Sequence, residues 1–507
     1  VGHNSPAPLQ GTVTNVERIE VAGPGFLNFT LSRDVFTGTL NTVLQNEEDW
    51  GKNDSKKGEV VLIEYTSPNL FKPLHIGNLV GNIIGESLTR LFEYAQAEVK
   101  RLNYPSDIGL TVAKAVWGLT KTQGDPNNIT ALGEAYRFGN DAYENDETAK
   151  AEIVSVNQAL YADTNEKLSL LRDQGIVTSK YRLNSICYSL GTEFDREIFE
   201  SQAAPKGIEI VKENIPNVFT ESDGAVVYEG ERVGLHTRVF LNSKGLPTYE
   251  AKDLGNFAIK QSIYPNWTTS IIVTGNEQME YFKVLYSAIK EVFPEVKKKN
   301  LEHIPTGFLT LTTGKMSSRK GNILSGEQLL EELEQEAVKR GSGMEREHEK
   351  DIPLATKVAT AALKYQILRS AVGSNMVFDK EKALSFEGDS GPYLQYTYAR
   401  IQSVLAKAAE AGVSVDTQLP PPTAYDVEKL IAQFPSVIES ALVDRAPHKV
   451  TGYLTELAGA FNTFYAHEKI ADPTDEFAPY KAAVAKAVAT TLKNGLWVLG
   501  IKAPERM

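Results

Sequence analysis

The sequence predicts an α/β fold: a parallel-sheet domain followed by an all-helical bundle and preceded by a short αβ segment. Three observations carry this reading. First, EVVLIEYTS at 59–67 is a continuous, β-branched apolar run. It is followed by a helical stretch at 77–96 and by a second strand in EVKRLNYPSD. Strand, helix, strand in that order favours a parallel sheet. Second, the strand pattern returns at TSIIVTG, 269–275. Third, after residue 350 the apolar residues Val450, Tyr453, Leu454, Leu457, Phe461, Phe464 and Tyr465 fall on one face of a helix.

In chain order, residues 1–57 form the short αβ segment. Gly23, Pro24 and Gly25 turn the chain before the strand-like Phe26–Leu31, and DVFTGTLNTVLQN reads as a helix. The sheet domain spans 58–350. In its first helix, Leu79, Ile83, Ile84, Leu88, Leu91 and Phe92 share a side. Residues 110–236 are long, mixed and polar, and read as an insertion between two halves of the sheet. MEYFKVLYSAIKEVF, after 275, is a helix. The bundle spans 351–507, with Val484, Val488, Leu492, Leu496 and Leu499 on a second helical face and LPPPT at 419–423 as a loop.

Of the 507 residues, 42% are hydrophobic and 23% charged, ordinary values for a globular protein with a core. No apolar run reaches the length of a membrane span, and VGHNSPAPLQ has no signal-peptide pattern. Cys187 is the only cysteine, which excludes an intrachain disulfide and a cysteine zinc site and suits a reducing cytoplasm. The net charge of −12 means that any nucleic acid must be met by local patches against a repulsive field.

Two stretches carry chemistry. SPNLFKPLHIGNLVGNIIGE, 67–86, lies where a parallel strand gives way to a helix, with Pro73 read as the strand's end. A helix N-terminus offers unpaired N–H groups to phosphate, and His75 at its mouth can donate a hydrogen bond to a phosphate oxygen. Gly77 is expected to make room for a nucleotide, and Gly81 and Gly85 for neighbouring backbone. A lone H-x-G is more often a core histidine at a tight helix–strand contact. GKMSSRKGN, 314–322, places Lys315, Arg319 and Lys320 in a short loop suited to a triphosphate; alone, it is also an ordinary solvated basic loop.

Together, HIGN and KMSSR resemble the HIGH and KMSKS signatures of the class I aminoacyl-tRNA synthetases. The likeness is closest to the arginyl-tRNA synthetase family. AGPGFLNFTLS resembles the close of that family's N-terminal additional domain, most of which is expected to be missing here. PTYEAKDLG, SFEGDSGPYLQYTYARI, RAPHKVTGYLTELAGAFNTFY and GLWVLGIKAPERM follow in the family's order. The resemblance implies a Rossmann-type catalytic domain and a helical anticodon-binding domain. It implies activation of L-arginine by ATP, taken with Mg2+ as Mg-ATP, and transfer to tRNA(Arg). A monomeric, cytoplasmic enzyme with no membrane attachment and no protein metal site is expected.

By position, the resemblance makes His75, Asn78 and Lys315 catalytic, and places Leu74, Gly77, Gly275, Met316 and Lys320 with them around ATP. Asn69, Tyr249, Asp253 and Gln278 match the arginine site. Tyr249 and Asp253, four apart, would share a helical face. Tyr393, Gln395, Tyr396, Arg400 and Tyr465, from GPYLQYTYARI and a helix over 441–465, are candidates for the tRNA surface. Residues 381–507 hold 12 lysines and arginines against 15 acids, so aromatic and shape recognition is expected there. The chain departs from the family pattern at Asn78, where a second histidine is usual, at Val80, and at Ser318 in place of a lysine. These departures leave two further readings open: an impaired paralogue that holds tRNA or nucleotide, and a class I enzyme for another amino acid.

Overall fold

A computed structural model of the chain describes residues 15–312, 325–341 and 352–507. Its first elements are the antiparallel pair β1 (Val16–Ala22) and β2 (Phe26–Leu31), then helix α1 (Arg33–Asn46). Gly23 and Gly25 both hold positive φ in the β1–β2 turn, which glycine adopts without steric cost. Strand β3 (Val60–Glu64), helix α2 (Ile76–Tyr94) and strand β4 (Glu98–Asn103) form the predicted strand–helix–strand unit, with β3 and β4 parallel.

Four helices follow: α3 (Leu110–Thr122), α4 (Ile129–Asn145), α5 (Glu147–Ala162) and α6 (Glu166–Leu190). The chain then makes β5 (Arg196–Glu197), α7 (Glu200–Glu213) and a small antiparallel sheet of β6 (Thr220–Ser222), β7 (Ala225–Tyr228) and β8 (Arg238–Leu241). Helix α8 (Tyr249–Ile263), strand β9 (Thr269–Gly275), helix α9 (Met279–Val292) and strand β10 (Asn300–Thr306) return it to the main sheet. That sheet is parallel throughout, in the order β10-β9-β3-β4-β5. The stretch 110–236 is therefore not purely an insertion, because β5 within it pairs with β4 and completes the sheet.

Alternation along β3 sets the layers. Val61, Ile63 and Tyr65 enter a core shared with α2, while Leu62 enters a second core with Leu254 and Phe257 of α8 and Phe282 of α9. Such two-sided burial is why the strand reads as a continuous apolar run. Strand β3 ends at Glu64, well before Pro73. Residues 65–75 form a loop in which Thr66, Ser67 and Phe71 hold left-handed φ of 73°, 37° and 69°. Non-glycine residues there are disfavoured, so the surrounding structure must hold this loop.

Beyond the sheet come β11 (Leu309–Leu311), α10 (Gly326–Lys339), α11 (Leu354–Leu368), β12 (Met376–Phe378), α12 (Lys380–Ala383) and α13 (Gly391–Glu410). The last helices are α14 (Asp426–Val443), α15 (Pro447–His467) and α16 (Ala478–Val498). The stretch read as one helix over 441–465 is broken: Arg445 is left-handed at φ 52°, and Pro447 starts α15 at a position that suits it. Val450, Tyr453, Leu454, Leu457, Phe461 and Phe464 are buried as their spacing requires, whereas Tyr465 is 41% exposed. The bundle and α2 share one continuous core.

Helices α7 and α8 cross backbone to backbone. A Cβ on Gly255 would stand 2.0 Å from the carbonyl oxygen of Ala203, and one on Gly207 would stand 1.8 Å from that of Ala251. Asp253 sits between these two contacts. Gly255→Ala is expected to lower stability by about 2–3 kcal/mol, the upper part of the overpacking range, read as a shifted urea midpoint at unchanged slope.

Candidate active site

The loop after β3 and the first turn of α2 are built around His75. Its side chain caps the helix: Nδ1 accepts the Gly77 N–H at 3.1 Å. That bond leaves the ring's remaining proton on Nε2, as a donor facing solvent. Burial, followed by the neighbouring Lys72 charge, holds the imidazole below its ordinary range, with a smaller opposing pull from Glu277. Asn78 is turned into the protein. Its Nδ2 donates to the Thr66 carbonyl at 2.8 Å, and its Oδ1 accepts the His75 N–H at 3.2 Å. Asn82 adds a bond to the Thr66 hydroxyl at 2.9 Å. Both ends of the Asn78 amide thus brace the left-handed loop.

The three glycines do different work. A side chain at Gly77 would press on the His75 ring, with Nδ1 at 3.2 Å from a Cβ. Gly81 faces Val273 and Thr66 backbone at 3.8 and 4.0 Å, ordinary contact distances. Gly85 meets a side chain, not backbone: a Cβ would stand 2.4 Å from the Tyr65 ring.

On the other face of β3 stand three carboxylates. Glu64, the last residue of β3, accepts from Lys260 Nζ and Asn256 Nδ2, each at 2.9 Å. Glu200, at the start of α7, pairs with Lys252 at 2.5 Å. Asp253 accepts from the Tyr281 hydroxyl at 2.6 Å and, among the described residues, has no cation within ion-pair distance. Burial pushes its carboxyl up to about 7, opposed by the Tyr281 hydrogen bond and helped by the charges of Glu64 and Glu200. Two acids are matched by one ammonium each and the third is not. The arrangement can therefore accept one more cation, and a planar one suits a carboxylate best.

A family model for the catalytic domain of class I tRNA synthetases (R) matches residues 39–380, and one for the DALR anticodon binding domain matches 394–507. The arginine–tRNA ligase of Levilactobacillus brevis is 32% identical over 97% of this chain and 88% of that protein. The chain belongs to the arginyl-tRNA synthetase family. The ligase of Treponema denticola is 32% identical over 94% of this chain and 84% of its own. The arginyl-tRNA synthetase structure from Thermus thermophilus superposes with a TM-score of 0.77 at 25% identity, over 99% of this chain and 90% of that one. Family membership sets aside the reading as a synthetase for another amino acid.

With the family known, the other expected residues can be placed. Asn69 sits in the loop after β3 and bridges to Ser106 beyond β4. Tyr249 opens α8 at 66% exposure, with the Lys252 ammonium 4.9 Å from its ring centre, so it lies at a rim and Asp253 deeper. Gln278 is half-buried at the start of α9, three residues before Tyr281. Gly275 ends β9, but the Glu277 carboxylate fills the space beside it, 2.2 Å from a would-be Cβ. The expected approach of adenosine there requires Glu277 to swing away. Lys315, Met316 and Lys320 lie outside the described residues.

In the bundle, Asn462 joins two of the expected residues: its Nδ2 donates to the Tyr393 hydroxyl at 2.8 Å and its Oδ1 accepts from Arg400 at 3.1 Å. The Arg400 guanidinium covers the Tyr396 ring at 4.7 Å, and Tyr465 stacks on Phe461 at 6.1 Å. Gln395 is wholly buried, and its amide donates to the Lys357 and Lys502 carbonyls at 3.2 and 2.7 Å. It is thereby corrected from a tRNA contact to a tie between α11, α13 and the chain's end.

Sequence reasoning missed Glu64, Lys260, Tyr281 and Lys72. For Glu64 a signal existed: a carboxylate in an otherwise apolar buried strand needs a partner. Lys260→Met, which leaves Glu64 buried without its cation, is expected to cost about 3–5 kcal/mol in urea unfolding, with most of the loss recovered in the Glu64→Gln/Lys260→Met double variant.

Proposed function

We propose that the rim of the parallel sheet is divided between the two small substrates, with arginine on the Asp253 side of β3 and ATP on the His75 side. The reaction is arginine–tRNA ligation. In its first step the arginine carboxylate attacks the α-phosphorus of ATP, the bond to the β-phosphate oxygen breaks, and pyrophosphate leaves. In its second step a ribose hydroxyl of the tRNA's terminal adenosine attacks the carbonyl of arginyl-adenylate, and AMP leaves. No side chain becomes covalently bound; the protein's part is orientation and charge stabilisation.

The observation that carries the substrate choice is the unmatched carboxylate of Asp253. A guanidinium supplies the missing cation, with Tyr249 at the rim and Asn69 and Gln278 near the reacting end. On the other side, His75 Nε2–H is directed to a phosphate oxygen as negative charge grows there. Lys72, close enough to depress the His75 pKa, adds a cation that the motif pair alone does not supply. Gly77 flanks His75 on the ATP side, and Lys315, Met316 and Lys320 are assigned to the departing phosphates; Leu74, expected there, is instead buried in the core with its N–H and carbonyl held by Glu327 and Gly326. Magnesium is taken in as Mg-ATP, with phosphate oxygens and water as its ligands; among the described residues no three His, Cys, Asp or Glu stand together as a cage.

For tRNA(Arg), Tyr396, Arg400, Tyr393 and Tyr465 give a stacking surface on α13 and α15 suited to unpaired bases. We place the enzyme in the cytoplasm as a monomer; no helix among the described residues is long and apolar enough to cross a membrane.

Aminoacylation with labelled arginine tests the whole reading; tRNA binding without charging would point to an impaired paralogue instead. Asp253→Asn should raise the arginine requirement by on the order of 10²–10³-fold, the cost of removing one partner from a buried ion pair, and leave the ATP requirement unchanged. Because the free carboxyl titrates near 7 and arginine binds its ionised form, the arginine KM of the parent enzyme should rise as pH falls below about 7. In Asp253→Asn that slope should vanish. His75→Ala should slow pyrophosphate exchange by about 10²–10³-fold, as for removal of one oxyanion donor.

A further inference from the structure

We propose that Arg182 of α6 and Glu327 of α10 are positioning residues for adenylate formation, acting through the backbone of Leu74 to hold His75 in place. The inference rests on the role given to His75 above.

Leu74 is gripped on both sides by the start of α10. Its N–H donates to Glu327 Oε1 at 3.3 Å, and its carbonyl accepts the Gly326 N–H at 2.8 Å. The next residues, His75 and Ser325, form a backbone bridge. Gly326 is needed for this approach, because a Cβ there would stand 2.6 Å from the Leu79 side chain. The second oxygen of Glu327 accepts from Arg182 Nε at 3.2 Å, and Arg182 Nη2 reaches Glu331 Oε1 at 2.8 Å. One guanidinium thus fixes the carboxylate that fixes the residue before His75.

Helix α6 holds the same loop at two further points. The Ser179 hydroxyl accepts the Phe71 N–H at 3.1 Å. Gly175 lies so close to the Phe71 ring that a Cβ would stand 2.2 Å from it. Phe71 is one of the three left-handed residues of the loop, so α6 braces a backbone that does not favour its own conformation. Helix α10 is the first described element after GKMSSRKGN in the chain. The joint at Leu74–His75 and Ser325–Gly326 therefore ties the mouth of α2 to the start of α10, and Arg182 sets it from the side.

The pair has the character of a geometric device rather than a folding one. The side chains of Arg182 and Glu327 are 33% and 17% exposed, so solvent partly screens the pair and its share of stability is modest. A small displacement of a reacting group, by contrast, lowers rate steeply.

Arg182→Met and Glu327→Gln are tested in pyrophosphate exchange with tRNA present, and in single-turnover transfer to tRNA from preformed enzyme-bound arginyl-adenylate. The expected result is a fall in exchange kcat of about 10–100-fold at unchanged arginine KM. Transfer should stay within about twofold and the melting midpoint within about 2 °C of the parent, and Arg182→Lys should recover part of the exchange rate. Because the pair acts through His75, His75→Ala/Arg182→Met should exchange no more slowly than His75→Ala alone. Parent-like exchange, equal loss in both steps, or independent effects in the double variant would each overturn the proposal. If His75→Ala slows exchange while the pair variants do not, only this inference falls; if His75→Ala itself is silent, the reading of His75 falls with it.

Discussion

Glu64 places a charge inside the protein at the end of the central strand, and the ammonium of Lys260 makes that placement tolerable. A buried carboxylate without a partner would be costly or would protonate. The pair also fixes where α8 lies against the sheet, because Asn256 on the same helix bonds the same oxygen. Asp253 is carried on that helix, between the two glycine contacts with α7. Asp253 is thus located by a charge pair and a backbone crossing made by its neighbours on α8.

The opposite face obeys a related constraint. Residues 65–75 bridge strand and helix through a backbone that non-glycine residues disfavour. Asn78, Asn82, Ser179 and Glu327 each spend a polar group on it. His75 is held by its own ring, which caps the helix. With Nδ1 occupied by the cap, the ring keeps its one proton on Nε2.

Elements with a strong period were legible in the sequence: the strands around 60–64 and 269–275, the helix from Ile76, and the buried faces of α15 and α16. The pairing of β5 with β4 was not legible, because two residues carry no periodic signal. The break at Arg445 was legible but missed: Pro447, two residues on, is costly in a helix interior. At the candidate site, the place of His75 at the mouth of α2 and of Asp253 one turn after Tyr249 on α8 was readable. Lys260 and Arg182 were not, because each matters through a partner more than a hundred residues away in the chain. Gln395 was misread because a polar residue in a motif was assumed to look outward, and it faces backbone carbonyls instead.

The bundle is not a detachable module. Ser87 of α2 bonds the Val498 carbonyl at 3.0 Å, Arg90 bonds that of Trp497 at 2.8 Å, and Arg33 of α1 pairs with Glu428 at 2.8 Å. The helix that begins at His75 thus runs along the floor of the tRNA-reading half. A proteolytic fragment ending near 350 would bare the apolar back of α2 and aggregate. The two halves of this molecule should therefore melt in one step, and a partner gripping the far helices would lean directly on the helix that carries His75 at its mouth.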